Sequence, residues 1–208
     1  MSAGVSGACS PTKYDRLLMR PAPRPGFSPP ELPPPREPYG PYRISCICLG
    51  NICRSPTAAV VLRSRAAAAG LGNAVEVDSG GTGDWHLGDS IDSRARSVLA
   101  ANGYAPTRHR ARRIEADWFD THDLFLAMDR ANLMATRALA PDPLTAEHRV
   151  MLFRAFDPLA DDSDAEVPDP YYRGMDEYRA VLTIVERTVD VLVDRLVARL
   201  AAQREIGT

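Results

Sequence analysis

The sequence predicts an α/β fold: a four-stranded parallel sheet with helices on both faces, Rossmann-like in organisation, behind a disordered proline-rich tail. Three observations predict it. From Tyr42 onward, strand-like apolar runs alternate with helix-like runs, and that alternation builds a parallel sheet covered on both sides. Near the C-terminus, Val181, Leu182, Val185, Val189, Leu192, Leu196 and Leu200 recur at helical spacing. The first 41 residues hold 11 of the 18 prolines and little apolar periodicity, so they cannot build a core.

Residues 1–41 are therefore read as the disordered tail and 42–205 as one domain. Segments such as Pro21-Ala22-Pro23-Arg24-Pro25 and Pro33-Pro34-Pro35 favour extended polyproline geometry. Arg43–Leu49 is expected as the first, buried strand. Ser55–Ala69 follows as a helix closed by Gly70 and Gly72. Val75–Ser79 forms the second strand and ends in Gly80-Gly81. Asp92–Asn102 is a helix with Asp92 at its N-cap and Gly103 beyond its end. Asp123–Met128 is the third strand, followed by a helix capped by Asp129. Arg149–Phe153 is a short fourth strand, and the last helix runs from Met175 to Ala202.

Composition narrows the function. Hydrophobic residues at 45% and charged residues at 25% suit a soluble globular domain. A net charge of −2 gives no support to nucleic-acid or membrane-surface binding. No apolar run approaches the roughly 18 residues of a membrane span, and no secretory signal is evident, so a cytoplasmic location is expected. Cys46, Cys48 and Cys53 crowd together while Cys9 lies in the tail, which is no disulfide framework. Zinc would need a second ligand pair that no nearby histidine supplies. No metal and no cofactor are expected.

The chemistry concentrates in Cys48-Leu49-Gly50-Asn51-Ile52-Cys53-Arg54-Ser55-Pro56. A cysteine six residues before an arginine is weak evidence in so arginine-rich a chain. A strand before it and a helix after it make it specific. Such a loop gathers backbone N–H groups at the helix's positive end and forms a cup for a tetrahedral oxyanion. A helix N-terminus and a nearby cation lower a thiol's pKa, so Cys48 is read as a nucleophilic thiolate. Arg54 offers a planar fork for two phosphate oxygens. Ser55 can donate to the thiolate, Gly50 permits close approach, and Asn51 tolerates a left-handed backbone. Leu49, Ile52 and Cys53 complete the wall. Cys46 should be buried on the same side as Cys48, as packing. A leaving alkoxide or phenoxide needs a proton, and the candidate acid is Asp169, set between Pro168 and Pro170 and followed by Tyr171 and Tyr172. Arg108, Arg110, Arg112 and Arg113 are read as a solvated basic face, and His86 as local packing.

These residues resemble the low-molecular-weight protein tyrosine phosphatases, most closely bacterial, actinobacterial-looking members. The likeness runs through the Cys48–Pro56 loop, Asp78-Ser79-Gly80-Gly81-Thr82-Gly83-Asp84-Trp85-His86, and His109-Arg110-Ala111-Arg112. It continues through Ala127-Met128-Asp129-Arg130-Ala131-Asn132-Leu133 and Asp169-Pro170-Tyr171-Tyr172, in order. The resemblance implies a metal-free two-step reaction on phosphotyrosine proteins through a phosphocysteine at Cys48, with Asp169 as acid and then base. It also implies that Ser79 and His109 hold Asn51, and that Leu49, Ile52, Trp85, Tyr171 and Tyr172 form a slot for a flat ring. A reversible Cys48–Cys53 disulfide is expected on the same ground, with a pairing through Cys46 left open; oligomeric state is open too, with a monomer favoured. Two relatives of the fold compete. Arsenate reductases need further cysteines, and none follows Cys53. Protein-arginine phosphatases look like the type with threonine where this chain has Ile52.

Overall fold

The computed structural model describes residues 20–106 and 108–206. The first strand, β1 (Tyr42–Cys48), lies second in a sheet of order β2-β1-β3-β4, with β2 at Val75–Gly81, β3 at Leu124–Ala127 and β4 at Val150–Leu152. All three pairings are parallel. Five α-helices join or follow the strands: α1 (Arg54–Ala68), α2 (Ser93–Ala101), α3 (Arg130–Arg137), α4 (Pro143–Arg149) and α5 (Met175–Ile206). Two 3-10 turns, Ala116–Asp120 and Phe153–Phe156, complete the elements among the described residues.

Alternation along β1 sorts the core into two layers. Ile44, Cys46 and Cys48 face one cluster, which includes Leu62 of α1, Leu99 of α2 and Val185, Val189, Leu192 and Leu196 of α5. Ile47 faces the other, with Ile114, Phe119, Phe125 and Val150, against which Leu133 of α3 packs. Successive strand side chains point to opposite faces, so a strand buried at nearly every position is covered on both. Cys46 is buried on the same side as Cys48, as strand alternation requires. Ala58 and Ala59 are fully buried, and their small side chains let α1 lie close to the sheet.

Caps fix where helices begin. Asp92, Asp129 and Asp142 each accept from a backbone amide in the first turn of α2, α3 and α4. Helix α4 is an addition to the expected order, although Asp142 and Pro143 at its start carry the ordinary signals for one.

Residues 1–19 of the expected tail lie outside the described residues. Residues 20–41 carry no helix or strand, as their proline content predicts, yet they are laid along the body rather than free of it. Leu32 is buried in the main core. The Tyr42 hydroxyl donates to Pro33 O at 3.0 Å, and the Arg36 amide donates to buried Asp123 at 2.6 Å. Arg24 N donates to Pro158 O at 2.9 Å, and Arg20 pairs with Asp194 of α5. The domain's ordered surface thus includes a strap that polyproline composition could not place.

Candidate active site

The carboxyl end of β1 opens into the Cys48–Arg54 loop, and the loop's carbonyls explain its shape. Cys48 O accepts from Thr82 N, Leu49 O from Gly83 N, Ile52 O from Asp92 N, and Cys53 O from Thr57 N and Thr57 Oγ1. Asn51 O lies 2.7 Å from His109 Nε2; a carbonyl only accepts, so Nε2 carries the hydrogen. Because a peptide plane sets N–H opposite C=O, carbonyls drawn outward leave the amides facing the centre. Asn51 N donates to Cys48 Sγ at 3.2 Å.

Asn51 takes φ 53°, the one positive φ on a non-glycine among the described residues. Its side chain holds that geometry: Nδ2 donates to Ser55 Oγ and Ser79 Oγ, each at 2.9 Å, and Oδ1 accepts from Arg112 N at 3.1 Å. Ser79 and His109 therefore stand where the resemblance put them, with Asn51 as donor toward Ser79. Ser55 Oγ lies 3.0 Å from Cys48 Sγ and donates to Gly80 O at 3.2 Å. A Cβ at Gly50 would come 2.9 Å from His86 Cδ2, and one at Gly81 would come 2.7 Å from Leu49 O. Only glycine lets the β2 end and the His86 loop approach this closely.

Arg54 opens α1 with its side chain 5% exposed. One guanidinium nitrogen donates to Asp129 Oδ2 at 2.7 Å and Val167 O at 3.2 Å; the other donates to Asp169 Oδ2 at 2.6 Å. Burial opposes its charge, but Cys48, Asp169 and Asp129 outweigh that and raise its pKa. Asp169 is half-exposed, and its other oxygen accepts from Tyr171 N at 3.1 Å.

A cavity of about 410 Å³ unites these groups. Cys48, Leu49, Gly50, Ile52, Cys53 and Arg54 form its floor and near wall, Asp169 its rim, and Trp85, His86, Tyr171 and Tyr172 its aromatic sides. The His86 and Tyr171 rings meet edge to face with centroids 5.6 Å apart, as do Tyr171 and Tyr172 at 4.8 Å. Every residue that the sequence nominated for catalysis, phosphate binding or the cleft lines this cavity except Asn51 and Ser55, which lie behind the cup and brace it.

Three residues acquire roles that sequence reasoning missed. His86 is a cavity wall, oriented by Asp89 at 3.0 Å. Asp129 caps α3 with one oxygen and holds Arg54 with the other; the cap signal was legible, the second contact was not. Arg112 lies on the solvated basic face as expected, yet its amide braces Asn51 and its guanidinium pairs with Asp78 at 2.7 Å and lies over Trp118. Arg108, Arg110 and Arg113 are exposed.

All three described cysteines are thiols. Burial pushes the Cys53 thiol up to about 12, although its contact with the Tyr178 hydroxyl at 3.5 Å works the other way. Burial likewise raises Cys46. His109 is held below the usual imidazole range, chiefly by burial and further by the Arg112 and Arg63 charges, against the upward pull of its bond to Asn51.

Fold and site together define a phosphatase of the parallel α/β class: an oxyanion cup with a thiol at its floor, at the carboxyl ends of the strands. Comparison with known proteins gives the family. Residues 43–204 match the family model described as low molecular weight phosphotyrosine protein phosphatase. The low molecular weight protein-tyrosine-phosphatase of Streptomyces coelicolor is 47% identical over 145 residues, 70% of this chain and 87% of that one. Phosphatase A of this family from Mycobacterium tuberculosis is 38% identical over 161 residues, 77% of this chain and 95% of that one. Among solved structures, a protein tyrosine phosphatase from Entamoeba histolytica with Hepes in its active site superposes with a TM-score of 0.69. It is 30% identical and covers 74% of this chain and 96% of its own. The chain belongs to the low molecular weight phosphotyrosine protein phosphatase family.

Proposed function

We propose that this protein is a protein-tyrosine phosphatase that hydrolyses phosphotyrosine in proteins through a phosphocysteine at Cys48, without a metal. One observation carries the reading: the Cys48 thiol, the Arg54 guanidinium and the Asp169 carboxyl group share one aromatic-walled cavity, with Arg54 bridging to Asp169.

The chemistry follows from those groups. A phosphate monoester enters with its oxygens on the inward amides and the Arg54 fork, displacing the carboxylate from that nitrogen. The Cys48 thiolate attacks phosphorus, forming a P–S bond as the P–O bond to the phenolate breaks. Asp169, released from Arg54 and protonated from solvent, gives that proton to the leaving oxygen. It then takes a proton from water as that water attacks phosphorus; the P–S bond breaks, releasing inorganic phosphate and the thiolate. Ser55 stabilises the thiolate by turning its single hydroxyl hydrogen from Gly80 O to the sulfur across their 3.0 Å contact.

The substrate class rests on the walls. Trp85, His86, Tyr171 and Tyr172 can flank a flat ring, and Ile52 gives the cup an apolar side. A phenyl spacer carries the phosphate to the floor where a serine methylene would fall short. Ile52 also argues against a guanidinium leaving group, and the lack of cysteines after Cys53 against arsenate reduction.

The test is turnover of p-nitrophenyl phosphate in the presence of a chelator, with inhibition by vanadate and by thiol alkylation. Cys48→Ser should abolish turnover while retaining vanadate binding by calorimetry. An unaltered rate in that variant would end the thiol mechanism.

A further inference from the structure

Residues 157–174 carry Asp169 from the second 3-10 turn to α5 without helix or strand of their own. Backbone without a regular ladder must be held by other partners. Here one side chain holds it at three points. Arg154, 3% exposed, donates from Nε to Asp157 Oδ2 at 2.8 Å and from Nη1 to Asp164 Oδ1 at 2.6 Å. Nη1 also donates to Glu166 O at 2.9 Å, and Nη2 to Asp164 Oδ2 at 2.8 Å. A single planar guanidinium thus ties the start of the segment to residues near the acid. Fully buried Asp157 is itself fixed, because Arg187 of α5 donates to both of its oxygens at 2.7 and 2.8 Å.

From the clamp to the acid the chain has little freedom. Glu166 is held through its carbonyl. Val167 is buried, its N–H donating to Met128 O at 2.7 Å and its carbonyl accepting from Arg54 at 3.2 Å. Pro168 fixes its own φ, and Asp169 comes next. Asp169 therefore takes its backbone position from the clamp at Glu166 and the anchors of Val167 together.

We propose that Arg154 and Asp164 form a clamp that positions Asp169 for proton transfer. The inference rests on reading Asp169 as the general acid. Stability accounts for part of this pairing, since it answers a buried guanidinium, although the Asp164 side chain is 67% exposed and contributes less than a buried partner would. What a bidentate pair supplies is geometry.

The test measures kcat/KM across aryl phosphates from dinitrophenyl to unsubstituted phenyl, whose phenolates differ in their need for a proton. A displacement of about 1 Å can cost up to about a hundredfold in rate, and a loosened clamp should cost about tenfold with phenyl phosphate. Asp164→Ala should show that loss with phenyl phosphate and less than about a twofold loss with dinitrophenyl phosphate. Asp164→Glu, which keeps the carboxylate, should recover most of it, and Arg154→Lys, which keeps charge but not the fork, should lose in the same direction. An Asp164→Ala loss equal for all leaving groups, or none, overturns the clamp. Asp169→Asn in the same series separates the two ideas. Steep leaving-group dependence there beside a flat Asp164→Ala profile overturns the clamp alone; flat profiles in both overturn the acid assignment and the clamp with it.

Discussion

Replacing Asn51 with alanine and with glycine isolates what holds the cup in shape. Asn51 is 1% exposed, and both substitutions remove its bonds to Ser55, Ser79 and the Arg112 amide. Each lost buried bond costs about 1 kcal/mol. Alanine also keeps a Cβ on a residue at φ 53°, which costs about 1 kcal/mol more than glycine in that conformation. The expected loss for Asn51→Ala is therefore about 3 kcal/mol from the three bonds, since asparagine already carries a Cβ in this conformation, and that is a large share of a domain's typical stability. Asn51→Gly should be about 1 kcal/mol less damaging, the reverse of the order found in ordinary backbone. Urea unfolding followed by tryptophan fluorescence reads both values. Turnover of p-nitrophenyl phosphate should fall in both variants, because Ser55 loses the partner that aims it at Cys48. If Asn51→Ala proves as stable as Asn51→Gly, the left-handed residue is not what shapes the loop, and the argument from backbone geometry fails.

Other outcomes follow from particular contacts. Asp129→Asn keeps the cap on α3 but weakens a charged contact to Arg54 at 2.7 Å. Its kcat/KM should fall about tenfold, as for a charge-assisted bond of about 1.5–3 kcal/mol, and its melting temperature should fall as well, because Arg54 is buried. His109, with its pKa lowered in the folded state, contributes stability that is fully present above the ordinary imidazole pKa. That contribution falls as pH drops below that value, because the unfolded chain then binds the proton more readily. Urea midpoints at neutral and mildly acidic pH should therefore separate more for the parent chain than for His109→Gln. Deleting residues 1–41 should cost at least the roughly 2 kcal/mol of burying Leu32, read again by urea unfolding. Brief alkylation near neutral pH, followed by peptide mass spectrometry, should leave Cys46 and Cys53 unmodified, since burial keeps both thiols protonated.

Legibility followed distance along the chain. The Cys48–Ser55 cup could be read directly because its strand, loop and helix are contiguous, so local backbone rules shape it. Asp169 was legible through its two prolines and the tyrosines after it, although its meeting with Arg54 spans 115 residues. His86 was missed because nothing local marks it; it matters through the closeness of Gly50, far behind it in sequence. Arg112 was read only in part, for a related reason. Its side-chain charge dominates the sequence, while the contact that braces the cup comes from its backbone amide. The strap's extended backbone followed from its prolines, but its path did not, since one buried leucine in an irregular segment gives no periodicity to read.

The order of amino acids alone determined that a parallel sheet would form and that a thiol, a guanidinium and a ring of amides would meet where its first strand ends. Strand alternation and helix-start geometry act over a few residues and leave little choice. Only the tertiary structure decided that Arg54 would be shared between Asp129 and Asp169, and that Arg154 would close the segment carrying the acid. Those bonds depend on how separate stretches of chain pack, and buried charges accept whichever partners the packing brings within reach.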